Sequence, residues 1–350
     1  MRLSLKNRLR LIGLLPIVIL FSMTSYYVYS SFMAYKVAQG LQDKLELNTH
    51  LNEIVTNIAR ERGMSAMYIG SEAAANTLKS LHEQRKIVDD KVLKYVEQAQ
   101  KEKTLDINPE NRSAVQANVN DVTAAMAKIK SVRPLIDEKK ITFDEIFSTV
   151  YNPTQAKFIK QLTQVTENQV DKEISELYSL YITIVNAKEA SGIERAFMSY
   201  NISHSTKLTE EDLSKWITMI GKADALSYDN IQNKELLKKL DAIFKTEEYL
   251  SLLQDINGER TGILATSSSG EYETLSGVWF TMISEKINVI SEAENLLLKT
   301  MNDKAQGVQK DSLRVLIITF AVWLISIILA FLSMCYLLKL LPTSNTLKTS

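Results

Sequence analysis

The sequence predicts an all-α protein: two packed four-helix bundles, about eight helices in all, flanked by two transmembrane helices. Three observations lead there. Apolar residues recur at helical spacing through residues 34–312, with no alternating strand pattern. Prolines within that stretch are confined to Pro109, Pro134 and Pro153, each near a helix boundary. Leu11–Met33 and Val315–Leu338 are uncharged runs of 23 and 24 residues, each long enough to cross a hydrocarbon core of roughly 30 Å as a helix.

Taken in order, residues 1–10 carry Arg2, Lys6, Arg8 and Arg10 without an acid. Basic flanks stay on the cytoplasmic side, so this is a cytoplasmic N-terminus. Residues 11–33 are the first span, read as an uncleaved anchor because no small-residue cleavage site follows. A helix leaves the membrane and runs to about Gly70, and a second covers roughly 72–102. Asn108-Pro109 opens a third, to about 131. Thr142-Phe-Asp-Glu145 has the capping-box pattern that starts a fourth segment. Asn152-Pro153 sets Asn at an N-cap and Pro at the first helical position. A long helix follows from about 170 to 203. Thr209-Glu-Glu-Asp212 caps the next, to about 232, and another runs from about 235 to 266. Ser267–Gly270 is a loop. The last helix begins near Thr274 and continues into the second span at 313–338. Residues 339–350, with Lys339 and Lys348, form a short cytoplasmic tail. Four segments fall before residue 165 and four after 170, hence two bundles. With the first and last helices running into the spans, a shift between bundles would move one span relative to the other.

Charge and composition narrow the function. The flanks hold no acid and seven basic residues, so residues 34–312 contain all 41 Asp and Glu against 34 Lys and Arg. An acidic outer domain disfavours nucleic-acid binding, which needs a basic face, and makes any anion site a local one. The only cysteine, Cys335, lies in the second span, so no disulfide forms within the chain. His50, His82 and His204 are scattered without ligands at metal spacing. No Gly-rich phosphate loop, nucleophile motif or acid–base pair is visible, so neither metal nor cofactor is implied and an enzyme is the least favoured class.

Two arginines stand out. Leu51, Val55, Ile58, Arg62, Ala66 and Ile69 share one helical face, and Leu177, Tyr181, Ile184, Ser191, Arg195, Met198 and Ile202 share another. Arg62 and Arg195 thus take core positions, and arginine is rarely buried without a partner. Small neighbours, Gly63 and Ala66, Ser191 and Gly192, allow another backbone close. Arg60, two residues back, points about 200° away round the helix. Arg260 is a third case, on a stripe with Tyr249, Leu253, Ile256, Ile263 and Leu264. Two explanations stand side by side. Each arginine pairs with a carboxylate of the chain, Glu189 or Glu194 for Arg195, although Glu194 is adjacent and faces elsewhere. Alternatively, the arginines share an anion from outside. A guanidinium is planar, permanently charged and presents parallel N–H donors, which suits a flat, weakly hydrated anion. Two arginines without an anion would repel each other and favour an open cleft.

The stretches ARERGMSAMYIG (59–70), VYNPTQAKFI (150–159), NAKEASGIERAFMSY (186–200) and GVWFTMISEKINVI (277–290) together resemble the nitrate- and nitrite-sensing (NIT) domain of bacterial transmembrane receptors. Their order and spacing cover nearly all of residues 40–295. The resemblance implies two four-helix bundles with nitrate or nitrite bound by arginines in the cleft between them. It makes Arg62, Arg195 and Arg260 the ligand-binding candidates, with Arg60, Ser65 and Tyr68 as supporting positions. The basic flanks place residues 34–312 outside the cytoplasmic membrane, in the periplasm if the source is Gram-negative, and paired helices crossing a membrane make a homodimer the usual expectation; the resemblance adds a bacterial receptor with a downstream chemotaxis or kinase module. Residues 339–350 hold no such module; Lys339-Leu-Leu-Pro342 resembles the opening of a HAMP linker, so the chain is either a truncated receptor or signals through a partner. The rival readings are a receptor of the same shape for another small anion or carboxylate, and a structural membrane protein whose arginines are only ion-paired.

Overall fold

The computed structural model describes residues 5–71, 75–105, 109–163, 172–229 and 231–340. Among these the chain is helical, with no strand. It falls into two compact units: Asp43–Asn302, and the chain to either side of it.

In the flanking unit, helices α1 (Leu5–Gly70) and α10 (Ser276–Leu340) supply two stretches long and apolar enough to cross a membrane. They meet through small and aromatic residues. Trp323 Nε1 donates to Ser25 Oγ at 2.9 Å, the Thr24 and Ser326 hydroxyls lie 3.2 Å apart, and Phe21 packs on Trp323 at 6.1 Å between ring centroids. Small hydroxyl residues at the contact are what an apolar solvent favours, because they allow close approach and satisfy each other.

The Asp43–Asn302 unit contains both bundles. The first joins the C-terminal half of α1 to α2 (Ala75–Leu105), α3 (Pro109–Asp137) and a composite helix. That helix runs as α4 (Phe143–Glu145), a π-helical segment (Ile146–Tyr151) and α5 (Asn152–Thr163). Ile54, Ile58, Leu81, Val88, Ile129, Ile136 and Phe158 fill its core. The second bundle joins α6 (Lys172–Ser203), α7 (Glu210–Ala223), α9 (Glu247–Thr266) and the start of α10, with α8 (Lys234–Phe244) beside it. Its core centres on Trp216 and Trp279, packed edge to face at 6.5 Å, with Met198, Ile256, Ile263 and Ile283.

Several boundaries differ from the sequence reading, each for a physical reason. Helix α3 continues past 131, through Pro134, to Asp137. Its last turns are held by Arg133, Ile136 and Asp137, which bind or bury in the bundle and outweigh the proline's missing donor. Thr142 does cap α4, accepting from the Glu145 amide at 3.3 Å. Asn152 is no cap: it is helical, and its amide reaches back to the Phe147 carbonyl in the wider π pattern. A π segment ahead of Pro153 re-routes the hydrogen bonds next to the residue that lacks a donor, and frees the Asn152 side chain for another use. Thr209 caps α7 in a full capping box with Asp212, but α7 ends at Ala223 rather than 232. The expected helix over 235–266 is two helices, broken at Lys245 and restarted by Thr246, whose hydroxyl accepts from Tyr249 N. The expected starts at 72 and 170 lie outside the described residues.

Candidate functional site

The two arginine motifs meet where α1 and α6 cross. Small residues make the approach possible. A Cβ on Gly192 would lie 3.6 Å from the Ala59 Cβ and 3.0 Å from Arg62 Nη2. A Cβ on Gly63 would lie 3.2 Å from Arg195 Nε and 2.9 Å from the Phe280 ring. Each arginine therefore lies over the glycine of the other motif.

The glutamate before each arginine turns into its own bundle. Glu61, 0% exposed, accepts from Arg133 Nε at 2.9 Å and Nη2 at 2.8 Å, and from the Tyr151 hydroxyl at 2.9 Å. Arg133 also spans both Asp89 oxygens at 3.0 Å. Glu194, also 0% exposed, accepts from Arg260 Nε at 2.8 Å and Nη2 at 2.7 Å, and from Trp216 Nε1 at 3.3 Å. Arg260 Nη1 reaches Asp224 at 2.7 Å, and Asp224 also binds Lys286. Burial works against the Arg260 charge, but the hydrogen bonds and charges of Glu194 and Asp224 outweigh it and hold the guanidinium above its ordinary value. The structure thus puts Arg260 in a network with Glu194, Trp216, Asp224 and Lys286 inside the second bundle. Ser65 pairs with the Tyr151 hydroxyl at 3.3 Å inside the first bundle, and the Tyr68 hydroxyl donates to the Asp137 carbonyl at 2.9 Å.

Arg62, Arg195 and Arg60 are brought together at the crossing, and their surroundings differ. Arg62 donates to Glu189 Oε1 at 2.6 Å and Oε2 at 3.3 Å, and to Asn152 Oδ1 at 2.8 Å. Arg195, 3% exposed, has no carboxylate within ion-pair distance among the described residues, although Glu189 lines the same cavity. Its Nη1 donates to Ser284 Oγ at 2.7 Å, its Nη2 to the Ala59 carbonyl at 3.0 Å, and its plane lies 4.6 Å from the Phe280 ring centroid. Its Nε is buried without an acceptor. Burial first, then the charges of Arg62 and Arg60, push the Arg195 guanidinium down to about 9, with Glu189 acting the other way.

A cavity of about 70 Å³ opens beside Arg195. Thr56, Asn57 and Arg60 of α1, Lys188, Glu189 and Arg195 of α6, and Ser284 and Asn288 of α10 supply its polar lining. One water needs only about 10–15 Å³ of such space, so the cavity has room for a small ion. Lys188 is tied to Glu294 and also donates to Thr56 Oγ1 at 2.9 Å and Asn52 Oδ1 at 3.2 Å. Four cations (Arg60, Arg62, Lys188, Arg195) stand against two carboxylates, Glu189 and Glu294. The local excess is positive in a domain whose overall charge is negative. A larger cavity of about 320 Å³ lies between α6 and α7, but its walls are mostly apolar and no arginine faces it.

Sequence reasoning missed Lys188, Ser284 and Asn288, and the anchoring of Glu61 by Arg133. A signal for the first three was present: Lys188 sits two helical turns before Arg195, and Ser284 and Asn288 lie one turn apart within GVWFTMISEKINVI.

Fold and site together define a class: an all-helical domain with a cation-lined cavity between two bundles, carried between two membrane-length helices. The chain belongs to the nitrate and nitrite sensing (NIT) family, whose model matches residues 53–302; this is a sensing family, not a catalytic one. Among solved structures the chain is similar to the NasR transcription antiterminator, with a TM-score of 0.60 and 14% identity over 86% of this chain and 84% of that one. That likeness shows the shared fold. No curated protein sequence matches the chain.

Proposed function

We propose that the chain is a two-span receptor of the bacterial inner membrane, that its sensor domain faces the periplasm, and that nitrate or nitrite binds in the cavity beside Arg195. Arg195 is the principal ligand, Arg60 and Lys188 support it, and Arg62 adds its field from behind Glu189. The observation that carries this reading is a buried guanidinium with no ion-pair partner among the described residues, facing a cavity with room for a small ion. Ser284 and Asn288 of α10 complete its polar wall. Arg260 acts from a distance, by holding the helix that presents Arg195. The basic N-terminal flank supports the orientation. A homodimer coupled to a chemotaxis or kinase module is the expected working form.

An anion would touch α1, α6 and α10 at once and draw them together. Because α10 is one helix from Ser276 to Leu340, a shift of its start carries to the second span. A ligand biases the receptor only by its difference in affinity for the two states, and about 100-fold supplies roughly 2.7 kcal/mol.

The test is thermal unfolding of the full chain in lipid nanodiscs across a nitrate or nitrite titration at constant high chloride. A saturable rise in melting temperature is expected, because a ligand that binds only the folded state stabilises it. No rise with either anion, but a rise with formate or acetate, would favour the carboxylate-receptor reading. No rise with any of them would favour the structural one.

A pH dependence follows. A bound anion favours the charged guanidinium, so binding raises the Arg195 pKa above its empty value of about 9. Below pH 9 Arg195 is protonated with or without ligand, and its titration leaves affinity unchanged. Above pH 9 binding must take up a proton, and affinity is expected to fall by about tenfold per pH unit. Calorimetry in buffers of different ionisation enthalpy measures that uptake.

A further inference from the structure

The crossing of α1 and α6 is nearly two-fold symmetric in chemistry. Glu61, Arg62 and Arg133 correspond to Glu194, Arg195 and Arg260, with the bundle arginine 72 residues after its glutamate in one half and 66 in the other. Ala59 and Gly192, each three residues before its motif arginine, face each other across the crossing. Arg62 rests on the Gly192 side and Arg195 on the Gly63 and Ala59 side. Each arginine also has one polar side chain from a neighbouring helix: Asn152 for Arg62, Ser284 for Arg195.

The correspondence breaks most consequentially at the carboxylate. Arg62 is held by Glu189, six residues before Arg195 on α6. The matching position on α1, six residues before Arg62, is Thr56. Its side chain is short and uncharged, and it lines the cavity beside Arg195. The cavity therefore opens where the symmetry would place a second carboxylate.

We infer that the crossing is a two-fold oxyanion site, one half filled permanently by the chain's own Glu189 carboxylate and the other left for a free anion. This rests on the anion-receptor reading above and narrows it. The ligand is a singly charged planar oxyanion that replaces a carboxylate: two oxygens in one plane, small enough for 70 Å³. Sulfate or phosphate also offers two oxygens to a guanidinium but brings more charge and further oxygens than the carboxylate it would replace, and is expected to bind more weakly. Glu189 also keeps the paired half from binding a second ion, so the domain takes one anion rather than two.

Two variants of the full chain test this, titrated with nitrate by calorimetry in nanodiscs. Glu189→Ala empties the filled half and is expected to bind two nitrate ions where the native chain binds one. Thr56→Glu supplies the missing carboxylate; it is expected to lose at least 100-fold in nitrate affinity and to melt, without ligand, near the temperature of the nitrate-saturated native chain. If the native chain binds neither nitrate nor nitrite, the receptor reading falls first. If the native chain binds nitrate and Thr56→Glu binds it equally well, the two-fold inference is overturned while the receptor reading stands. A folded Glu189→Ala chain with a single nitrate overturns it too. Should one variant fail to fold, the other decides.

Discussion

Arg260→Met is expected to destabilise the Asp43–Asn302 unit by about 3–5 kcal/mol, the range found when one partner of a buried ion pair is removed. Glu194 is fully buried and takes both its strong donors from Arg260. Without them the carboxylate keeps only the Trp216 N–H at 3.3 Å, and Asp224 loses one of its two cationic partners. Urea unfolding followed by circular dichroism measures the loss. The double variant Arg260→Met with Glu194→Gln should recover most of it, because the buried charge itself, rather than the lost contact, is the larger penalty. Arg133→Met in the first bundle should cost less. Arg85 already lies 3.8 Å from Glu61, with buried donors to offer, and Tyr151 still donates to the same carboxylate. Equal losses in the two bundles would mean that Arg85 cannot take over.

Much of the fold was legible because its signals are local. The uncharged runs, the Thr209 cap and the recurrent apolar stripes each act within a few residues. Where the reading failed, a distant contact overrode the local one. Asn152-Pro153 has the composition of a helix start, yet the helix runs into it from the π segment just before while Asn152 serves Arg62, 90 residues away. The break at Lys245 was missed although Thr246-Glu247-Glu248 repeats the pattern at Thr209. The helical stripes correctly identified Arg62, Arg195 and Arg260 as inward-facing. Periodicity reports which face a side chain occupies but not what meets it there. The carboxylates that meet Arg62 and Arg260 are 127 and 66 residues away, beyond any helical spacing rule. For this reason three arginines alike in sequence separate into one bound by Glu189, one bound by Glu194 and Asp224, and one without a carboxylate.

Arg195→Met is expected to lower nitrate or nitrite affinity by at least about 100-fold while leaving the ligand-free chain as stable as before or more so. The two effects have one cause. A hydrogen bond from a charged donor contributes about 1.5–3 kcal/mol, and a planar anion beside Arg195 would take two of them. Losing both is ample for a hundredfold, which corresponds to about 2.7 kcal/mol. In the empty protein the same guanidinium is a buried cation with two neutral acceptors, and burial and its cationic neighbours disfavour its charge. Replacing a buried ion pair by apolar side chains of similar volume is often neutral or stabilising by about 1–4 kcal/mol; a buried cation with no ion-pair partner carries the desolvation cost with less to offset it, and a methionine sulfur packs well against an aromatic ring such as Phe280. Arg195→Lys keeps the charge but not the parallel donors, so its affinity should fall between the two. Melting curves with and without saturating nitrate measure both quantities. A ligand arginine raises the empty melting temperature when removed and abolishes the nitrate-dependent rise, whereas a scaffolding arginine such as Arg260 lowers the melting temperature in both. A chain with Arg195→Met that melts lower than the native one, and still rises with nitrate, would assign Arg195 to the scaffold and move the anion elsewhere.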